Sequence, residues 1–378
     1  QQCYHYETEI MFADGRTEKI GKFVESLMEK HKEKVENGIK CEILALPNLP
    51  TILTTDLTSV FPTKISRVSR HEAPETFYKI TYRNGRSIVV TPEHPVYIAK
   101  DGKITTCKAQ EIQEGMLAPA PRRLPTPEQE GQESDEKMLH SYGIFLGLQC
   151  SEGYSYRSQK HRYSEFGISN TNQEISHLAQ QVMTEVFRKK PQLHIRLPET
   201  NQKAKLVLLT TRISSKKAYQ QLEQEVPEIL QKARFKRIPN KVKTGSYTLK
   251  RAFIQGFFLG DGYVDQERTG FTTSSHMLAN DLQQLMLQLS IYSYIETEQR
   301  EAVAYYKVIV SGLQSYQRFY ELIPDMDKRK ERVRQLVFRS SRKNNDRDVL
   351  PHSYLAGIYT LLKAFRINDG RLNKNIAQ

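Results

Sequence analysis

Phe145-Leu-Gly-Leu-Gln-Cys-Ser-Glu152-Gly153 and Ile254-Gln-Gly-Phe-Phe-Leu-Gly-Asp261-Gly262 read as one helix written twice. Each is an apolar stretch with small residues four apart, Gly147 and Ser151 in the first, Gly256 and Gly260 in the second. Residues at i and i+4 share a helix face, and small ones let two backbones approach closely. Each stretch closes on an acid and a glycine, and a terminal glycine suits the left-handed position that ends a helix. Packed side by side, two such helices bring Glu152 and Asp261 to one point. Carboxylates paired at close range want a divalent cation between them, and oxygen ligands favour Mg2+.

The likeness runs on downstream. An offset of 103 residues separates Gly167 from Gly270, and Ala179-Gln-Gln-Val-Met183 from Leu282-Gln-Gln-Leu-Met286. Ala218-Tyr-Gln-Gln-Leu222 echoes Ser315-Tyr-Gln-Arg-Phe319 at an offset of 97, while the two acids are 109 apart. A slowly drifting offset is what loop insertions and deletions do to a duplicated unit. A period near a hundred means two similar subdomains rather than a solenoid.

Charge divides the chain at the same place. Residues 1–137 carry 19 Lys/Arg against 21 Asp/Glu, whereas the remainder carries 37 against 22. The excess positive charge therefore lies on the duplicated part, densest at Lys232, Arg234, Lys236, Arg237, Lys241 and Lys243 and at Lys328-Arg-Lys-Glu-Arg-Val-Arg334. A basic field of this size suits a polyanion such as DNA.

The outer limits are plain. A chain of 378 residues has room for two or three domains, and 38% hydrophobic content allows proper cores. No apolar run approaches the roughly eighteen residues of a membrane span, and no signal peptide opens the sequence, so no membrane partner is expected. Cys3, Cys41, Cys107 and Cys150 have no metal-ligand spacing and form no dense disulfide framework, which points to a reducing, intracellular (cytoplasmic) setting. The Pro-, Gln-, Glu-, Gly- and Ser-rich stretch 124–137 reads as a linker.

Residues 3–123 follow a different pattern. Short β-rich runs occur at Cys41–Leu46, Thr51–Thr54, Lys64–Val68, Thr76–Tyr82, Ser87–Val90 and Val96–Ala99. Asn84-Gly85 and Asp101-Gly102 favour hairpins between them. Arg16–Lys34 carries Ile20, Phe23, Val24 and Leu27 at helical spacing and predicts a helix.

Cys3-Tyr-His-Tyr-Glu-Thr-Glu-Ile10 resembles the N-terminal splice-junction motif of inteins, and Thr91-Pro-Glu-His94 matches their Thr-x-x-His motif. The two nine-residue helices resemble the LAGLIDADG motifs of homing endonucleases often inserted in inteins. The resemblance covers the chain to about residue 360, and four motifs in order make it specific. The opening Tyr6-Glu-Thr-Glu9 and the Lys19–Glu25 segment further resemble inteins of archaeal minichromosome-maintenance helicases. The implied architecture is multidomain. A mostly-β horseshoe splicing domain at 1–123 and the linker 124–137 precede a pseudo-two-fold α+β endonuclease, each repeat αββαββα, at 138–245 and 246–340. A helical accessory DNA-contacting segment at 341–378, with a helix over Tyr354–Phe365, completes it.

The resemblance also implies chemistry. Cys3 turns the preceding amide, after Gln2, into a thioester, with Thr91 and His94 polarising and protonating that amide. Gln1-Gln2 then belong to an upstream flanking protein, so host-protein exteins are partners. The chain ends Arg371-Leu-Asn-Lys-Asn-Ile-Ala-Gln378 without the His-Asn pair that completes splicing, and a β domain lacking its last strands is expected. Cys41 and Cys107 read as packing residues, and Cys150 as part of the first helix.

In the endonuclease the resemblance implies a monomer with a pseudo-dimeric nuclease acting on a long asymmetric double-stranded DNA site. Glu152 and Asp261 hold Mg2+ over the scissile phosphates, giving a double-strand break with short 3′ overhangs. Glu at 152 departs from the commonest spelling by one methylene. An accessory Lys near each phosphate is assigned to Lys236, in Phe235-Lys-Arg-Ile-Pro239, and to Lys328, ahead of Lys330 or Lys307. Arg157, Lys160, Arg162 and Lys205 in the first repeat and Arg268 and Arg300 in the second are the DNA-binding candidates. Three other readings compete: a splicing protein whose nuclease has decayed, a non-cutting LAGLIDADG binder such as an intron maturase, and a hedgehog-like autoprocessing domain. Intact acids oppose the first, Cys3 with the Thr91–His94 run the second, and the duplicated helices the third.

Overall fold

The computed structural model describes residues 2–126, 136–158, 163–198 and 206–340. The accessory segment 341–378, most of the 124–137 linker, and Lys160, Arg162 and Lys205 lie outside the described residues.

The N-terminal region is built of small antiparallel sheets. Strands β1 (Glu9–Met11) and β2 (Thr17–Lys19) pair, and helix α1 (Ile20–Lys30) follows. β3 (Glu36–Gly38), β4 (Cys41–Ala45) and β7 (Arg67–His71) form a three-stranded sheet, and β5 (Thr51–Thr55) pairs with β6 (Val60–Lys64). β8 (Tyr78–Thr81) pairs with β9 (Ser87–Val90), and β10 (Pro95–Lys100) with β11 (Lys103–Lys108). Phe12, Phe23, Val24, Met28, Leu44 and Val68 form one core, and Val90, Val96 and Ala109 a smaller one. Asp101-Gly102, both at positive φ, close the β10–β11 hairpin, as their sequence predicts.

Two expectations from the sequence need correction. The helix expected over Arg16–Lys34 starts only at Ile20. Asp14-Gly15 makes a turn instead, with Asp14 Oδ1 accepting from Arg16 N at 3.0 Å and Gly15 at φ +96°, and this folds Thr17–Lys19 back on Glu9–Met11. The run Lys64–Val68 is the end of one strand and the start of another, since Ile65 and Ser66 belong to neither ladder.

The rest is one unit repeated. The first copy runs α2 (Glu136–Ser151), β12 (Gly153–Arg157), β13 (Ser164–Asn170), α3 (Gln173–Phe187), β14 (Gln192–Arg196), β15 (Leu208–Ser214), α4 (Lys216–Glu225). After a short α5 (Asn240–Lys243), the second runs α6 (Tyr247–Asp261), β16 (Gly262–Val264), β17 (Thr269–Thr273), α7 (His276–Gln288), β18 (Ser293–Arg300), β19 (Val303–Val310), α8 (Leu313–Leu322), and α9 (Arg329–Ser340) follows. Both are αββαββα, and their sheets have the same strand order, β12-β13-β15-β14 and β16-β17-β19-β18. One continuous core spans both copies, from Phe145, Phe166 and Met183 to Phe257, Phe271 and Met286.

Helix α2 from Ser141 and helix α6 after Tyr247 are mostly buried, against each other and against the sheets. The small residues decide how closely they pack. A Cβ on Gly147 would strike the Phe253 carbonyl and stand 2.5 Å from Phe257 N, and one on Gly256 would stand 2.9 Å from the Ile144 Cα. The backbones therefore touch where any larger residue would wedge them apart.

The second copy also seats the N-terminal region. Buried Asp281 on α7 accepts from Arg237 at 2.7 Å and Lys243 at 2.8 Å; Arg237 reaches on to Glu9 at 2.7 Å, and Lys243 to Thr17 at 3.1 Å. Gln284 donates to Gly15 O, Gln283 donates to Asn84 O, and Arg86 holds Asn280 O and Gln283. The equivalent Gln180 and Gln181 of α3 are not covered in this way.

Candidate active site

Glu152 and Asp261 follow directly from this packing. Each stands where its helix gives way to the first strand of its sheet, and the helix contacts run from Gly143 against Ala252 to Ser151 against Gly260, beside these ends. The Glu152 Cγ lies 2.7 Å from where a Cβ on Gly260 would stand, so the acid of the first copy rests against the residue preceding the acid of the second. The glycine after each acid does not close the helix in the left-handed region, contrary to expectation. Gly262 is extended (φ −74°, ψ 149°), and its role, like that of Gly153, is to leave room for a carbonyl of its own helix, Phe258 O and Gln149 O respectively.

Burial, then the neighbouring Glu152 carboxylate, pushes the Asp261 carboxyl up to about 7, against relief from Lys236. Burial also raises Glu152, again offset by Lys236. Two half-buried carboxylates in mutual repulsion form a hard oxygen donor set that a divalent cation relieves. Among the described residues no group of three His, Cys, Asp or Glu side chains converges.

Lys236 is not a mobile cation. Its ammonium is buried and donates to Gln149 O at 2.9 Å, Cys150 O at 3.1 Å and Gly153 O at 2.7 Å. Gln149 and Cys150 belong to the last turn of α2, whose carbonyls need partners beyond the helix, and Gly153 opens β12. Burial lowers its pKa, while Cys150, Asp261 and Glu152 hold it up. It is a fixed counter-charge between the acids. Its counterpart in the second copy is Arg329, which donates to Phe258 O at 2.9 Å, Leu259 O at 3.2 Å and Gly262 O at 2.6 Å, the equivalent three carbonyls. The sequence places the partner lysine at Lys328, one residue earlier, while Arg329 makes the bonds that match those of Lys236. The arginine was hidden because its equivalence lies in hydrogen bonds, not residue type.

Lys328 is nonetheless exposed in a cleft of about 400 Å³ lined by Glu152, Asn170, Asn172, Asp327 and Arg329. Lys330 is paired with Asp325 at 2.6 Å and Lys307 with Glu298 at 2.6 Å, and of the three only Lys328 lines the cleft that holds Glu152.

Strand parity sorts the DNA candidates. Arg157 faces the helices: it pairs with Glu223 at 2.5 Å and covers the Tyr219 ring, both on α4. It is on the wrong side of its sheet for a nucleic acid, a correction to the sequence reading. Arg268 is paired with Glu296 at 2.8 Å and Arg300 with Glu298 at 2.8 Å. On the face away from the helices, register aligns Glu165 with Tyr156, Arg212 with Gln192 and Thr210 with His194 in the first sheet, and Lys307 with Thr272 and Glu296 in the second. Arg212 and His194 stand on this face and are not among the sequence candidates, although alternation with buried Ile213 marks the side that Arg212 takes.

At the other end of the chain, Cys3, Thr91 and His94 meet. Cys3 N donates to Thr91 Oγ1 and Thr91 N to Cys3 O, both at 3.0 Å. His94 N bonds Thr91 O at 3.0 Å, its ring lies 4.5 Å from that of Tyr4, and its buried Nδ1 has no partner among the described residues. Burial raises the Cys3 thiol and lowers the His94 imidazole.

Residues 248–324 match the LAGLIDADG-like domain family, and these residues begin with the helix that carries Asp261. The second repeat is thus LAGLIDADG-like. The chain is 34% identical over 117 residues to a DNA polymerase of Methanocaldococcus jannaschii, covering 30% of this chain and 7% of the polymerase. It is 28% identical over 265 residues to the replication factor C small subunit of Thermococcus kodakarensis, covering 70% of this chain and 28% of that protein. The chain thus spans under a third of the length of either relative. Among solved structures, the PabCDC21-1 intein is 25% identical at a TM-score of 0.29, over 34% of this chain and 74% of that one. I-DmoI in complex with DNA and Mn is 17% identical at 0.38, over 50% and 99%. Neither likeness is strong enough to bear on fold or activity.

Proposed function

We propose that this chain is an intein encoding a homing endonuclease that makes a Mg2+-dependent, site-specific double-strand break in DNA, fused to a protein-splicing domain whose Cys3 starts an N-to-S acyl shift. The observation that carries the nuclease half is the meeting of Glu152 and Asp261 at the paired ends of α2 and α6. The division that goes with it is a splicing domain at 1–123, a linker at 124–137, nuclease repeats at 138–245 and 246–340, and an accessory segment at 341–378. The partners are a long asymmetric duplex and the flanking host protein, the protein acts as a monomer with pseudo-dimeric repeats, and its setting is intracellular. A minichromosome-maintenance helicase is the proposed host. Proteins named DNA polymerase, replication factor C small subunit and transcription initiation factor IIB each align over a fraction of their length, as an insert in unrelated hosts does.

Glu152 and Asp261 would hold the divalent ion, which when bound supplies a Lewis acid for phosphodiester hydrolysis. Lys236 keeps a positive charge fixed beside both carboxylates without leaving its three carbonyls. Lys328 stands exposed in the Glu152 cleft, where it can neutralise a phosphate. The faces bearing His194 and Arg212, and Arg300 and Lys307, turn away from the helices and suit the major groove.

In the splicing half, the Cys3 sulfur attacks the Gln2 carbonyl carbon. The C–S bond forms, the Gln2–Cys3 C–N bond breaks, and the freed nitrogen takes a proton. Thr91 Oγ1 grips the N–H of that amide, and His94 is the group placed to supply the proton.

The test is a plasmid carrying the uninterrupted host-gene sequence, incubated with protein and Mg2+. Linearisation by wild type and by Cys3→Ala, with binding but no cutting by Asp261→Asn, is expected. A wild type that leaves the plasmid intact sinks the nuclease reading.

A further inference from the structure

The two acids sit in the same fold position but not in the same surroundings. At the end of β13, Asn170 Oδ1 accepts from Asn172 N at 2.8 Å, a turn that leads into the cap of α3. At the end of β17, Thr273 Oγ1 accepts from Ser275 N at 3.1 Å and leads into the cap of α7 in the same way. The turns are equivalent; the side chains are not. Because the Asn170 oxygen is committed to the turn, its amide nitrogen must point the other way, and it donates to Glu152 Oε1 at 3.2 Å. The Thr273 hydroxyl accepts from Ser275 N, and among the described residues no hydrogen bond joins Thr273 to Asp261 as Asn170 joins Glu152. Asn170 and Glu152 line the same cleft.

We propose that Asn170 is a positioning residue for the Glu152 half of the nuclease, and that it makes the two cleavage centres unequal. Glu152 is one methylene longer than Asp261 and has one more torsion to fix. The Asn170 amide fixes it by holding one carboxylate oxygen and presenting the other toward the cleft. The shorter, more deeply held Asp261 does without such a bond. Groups that orient a ligating carboxylate typically change metal affinity by ten- to a hundredfold when removed. The inference rests on the nuclease reading, and it predicts that the strand served by Glu152 depends on Asn170 while the other does not.

The test is Asn170→Thr, which places in the first half the residue the second half already has and keeps the turn. Three measurements are made on the full chain: Mn2+ affinity by calorimetry, the thermal midpoint, and strand-resolved cleavage of a duplex labelled on both strands. Support is Mn2+ binding weakened about tenfold, a melting midpoint unchanged, and a nicked intermediate that builds up because one strand is cut more slowly. Unchanged Mn2+ affinity with an unchanged strand ratio overturns the proposal. So does an equal loss on both strands accompanied by a lowered midpoint, which marks a structural role only. If wild type cuts neither strand, the nuclease reading fails, while the Mn2+ comparison still decides the role of Asn170.

Discussion

Lys236 and Arg329 end two different helices with the same three hydrogen bonds. Lys236, from the loop before α5, and Arg329, from the start of α9, reach the carbonyls at positions 149, 150 and 153, and 258, 259 and 262, respectively. A cation at a helix C-terminus is favoured by the helix dipole and by the carbonyls left without partners. Lys236→Met should therefore destabilise the protein by ~2–4 kcal/mol, through three stranded carbonyls and two carboxylates without a counter-charge. Arg329→Lys keeps the charge and should cost under about 1.5 kcal/mol. Urea titration of both variants checks the order.

The raised Asp261 carboxyl makes a pH prediction whose sign is opposite to the usual acidic case. Its folded pKa is about 7 and its ordinary value 3.8, so the folded state binds the proton more tightly. Stability without divalent metal should fall as pH rises from about 4 to 7, and level off above. Asp261→Asn, which cannot ionise, should be more stable than wild type at neutral pH in EDTA by roughly 1–4 kcal/mol. Apparent Mg2+ affinity should weaken as pH drops below 7, since a proton must leave before the ion binds. Calorimetry and chemical denaturation at stepped pH measure both.

Lys250 is a buried lysine in α6 whose Nζ has no hydrogen-bond partner among the described residues, and burial lowers its pKa to about 8 from 10.5. The unfolded chain holds that proton more tightly, so stability should rise as pH climbs from about 8 to 10.5. Lys250→Met should stabilise the protein by ~1–3 kcal/mol at pH 7 and flatten that rise. A denaturation series across the alkaline range shows whether it does.

Thr91 grips the amide that Cys3 must break. With an upstream fusion partner, Thr91→Ala should slow thiol-induced cleavage at Cys3 by about 10²-fold, whereas Thr91→Ser should retain most of it. Release of the partner by added thiol, followed by gel, reads the rates. Equal rates for both variants would remove Thr91 from the reaction.

The repeat was legible because helix-packing residues keep their spacing under loop drift: Ala179 and Leu282 open the same buried stretch of α3 and α7. The acids were legible because each closes such a helix. Arg329 was not, since a lysine-for-arginine exchange breaks a residue match but preserves donors. Nor was Arg157's orientation, because β12 carries Tyr154 and Tyr156 on one side and Arg157 on the other without clear hydrophobic alternation. The Thr17–Lys19 strand was obscured by a turn at Asp14-Gly15 sitting just ahead of a strong helical pattern.

The clasp of Glu9 and Thr17 onto Arg237, Lys243 and Asp281 bears on any attempt to shrink this protein. Deleting the repeats would strip Glu9 of its guanidinium, and deleting the N-terminal region would open the Asp281 cluster and the glutamines of α7 to water. A minimal version of either part must redesign that seam, because neither half was shaped to stand with its joining surface bare.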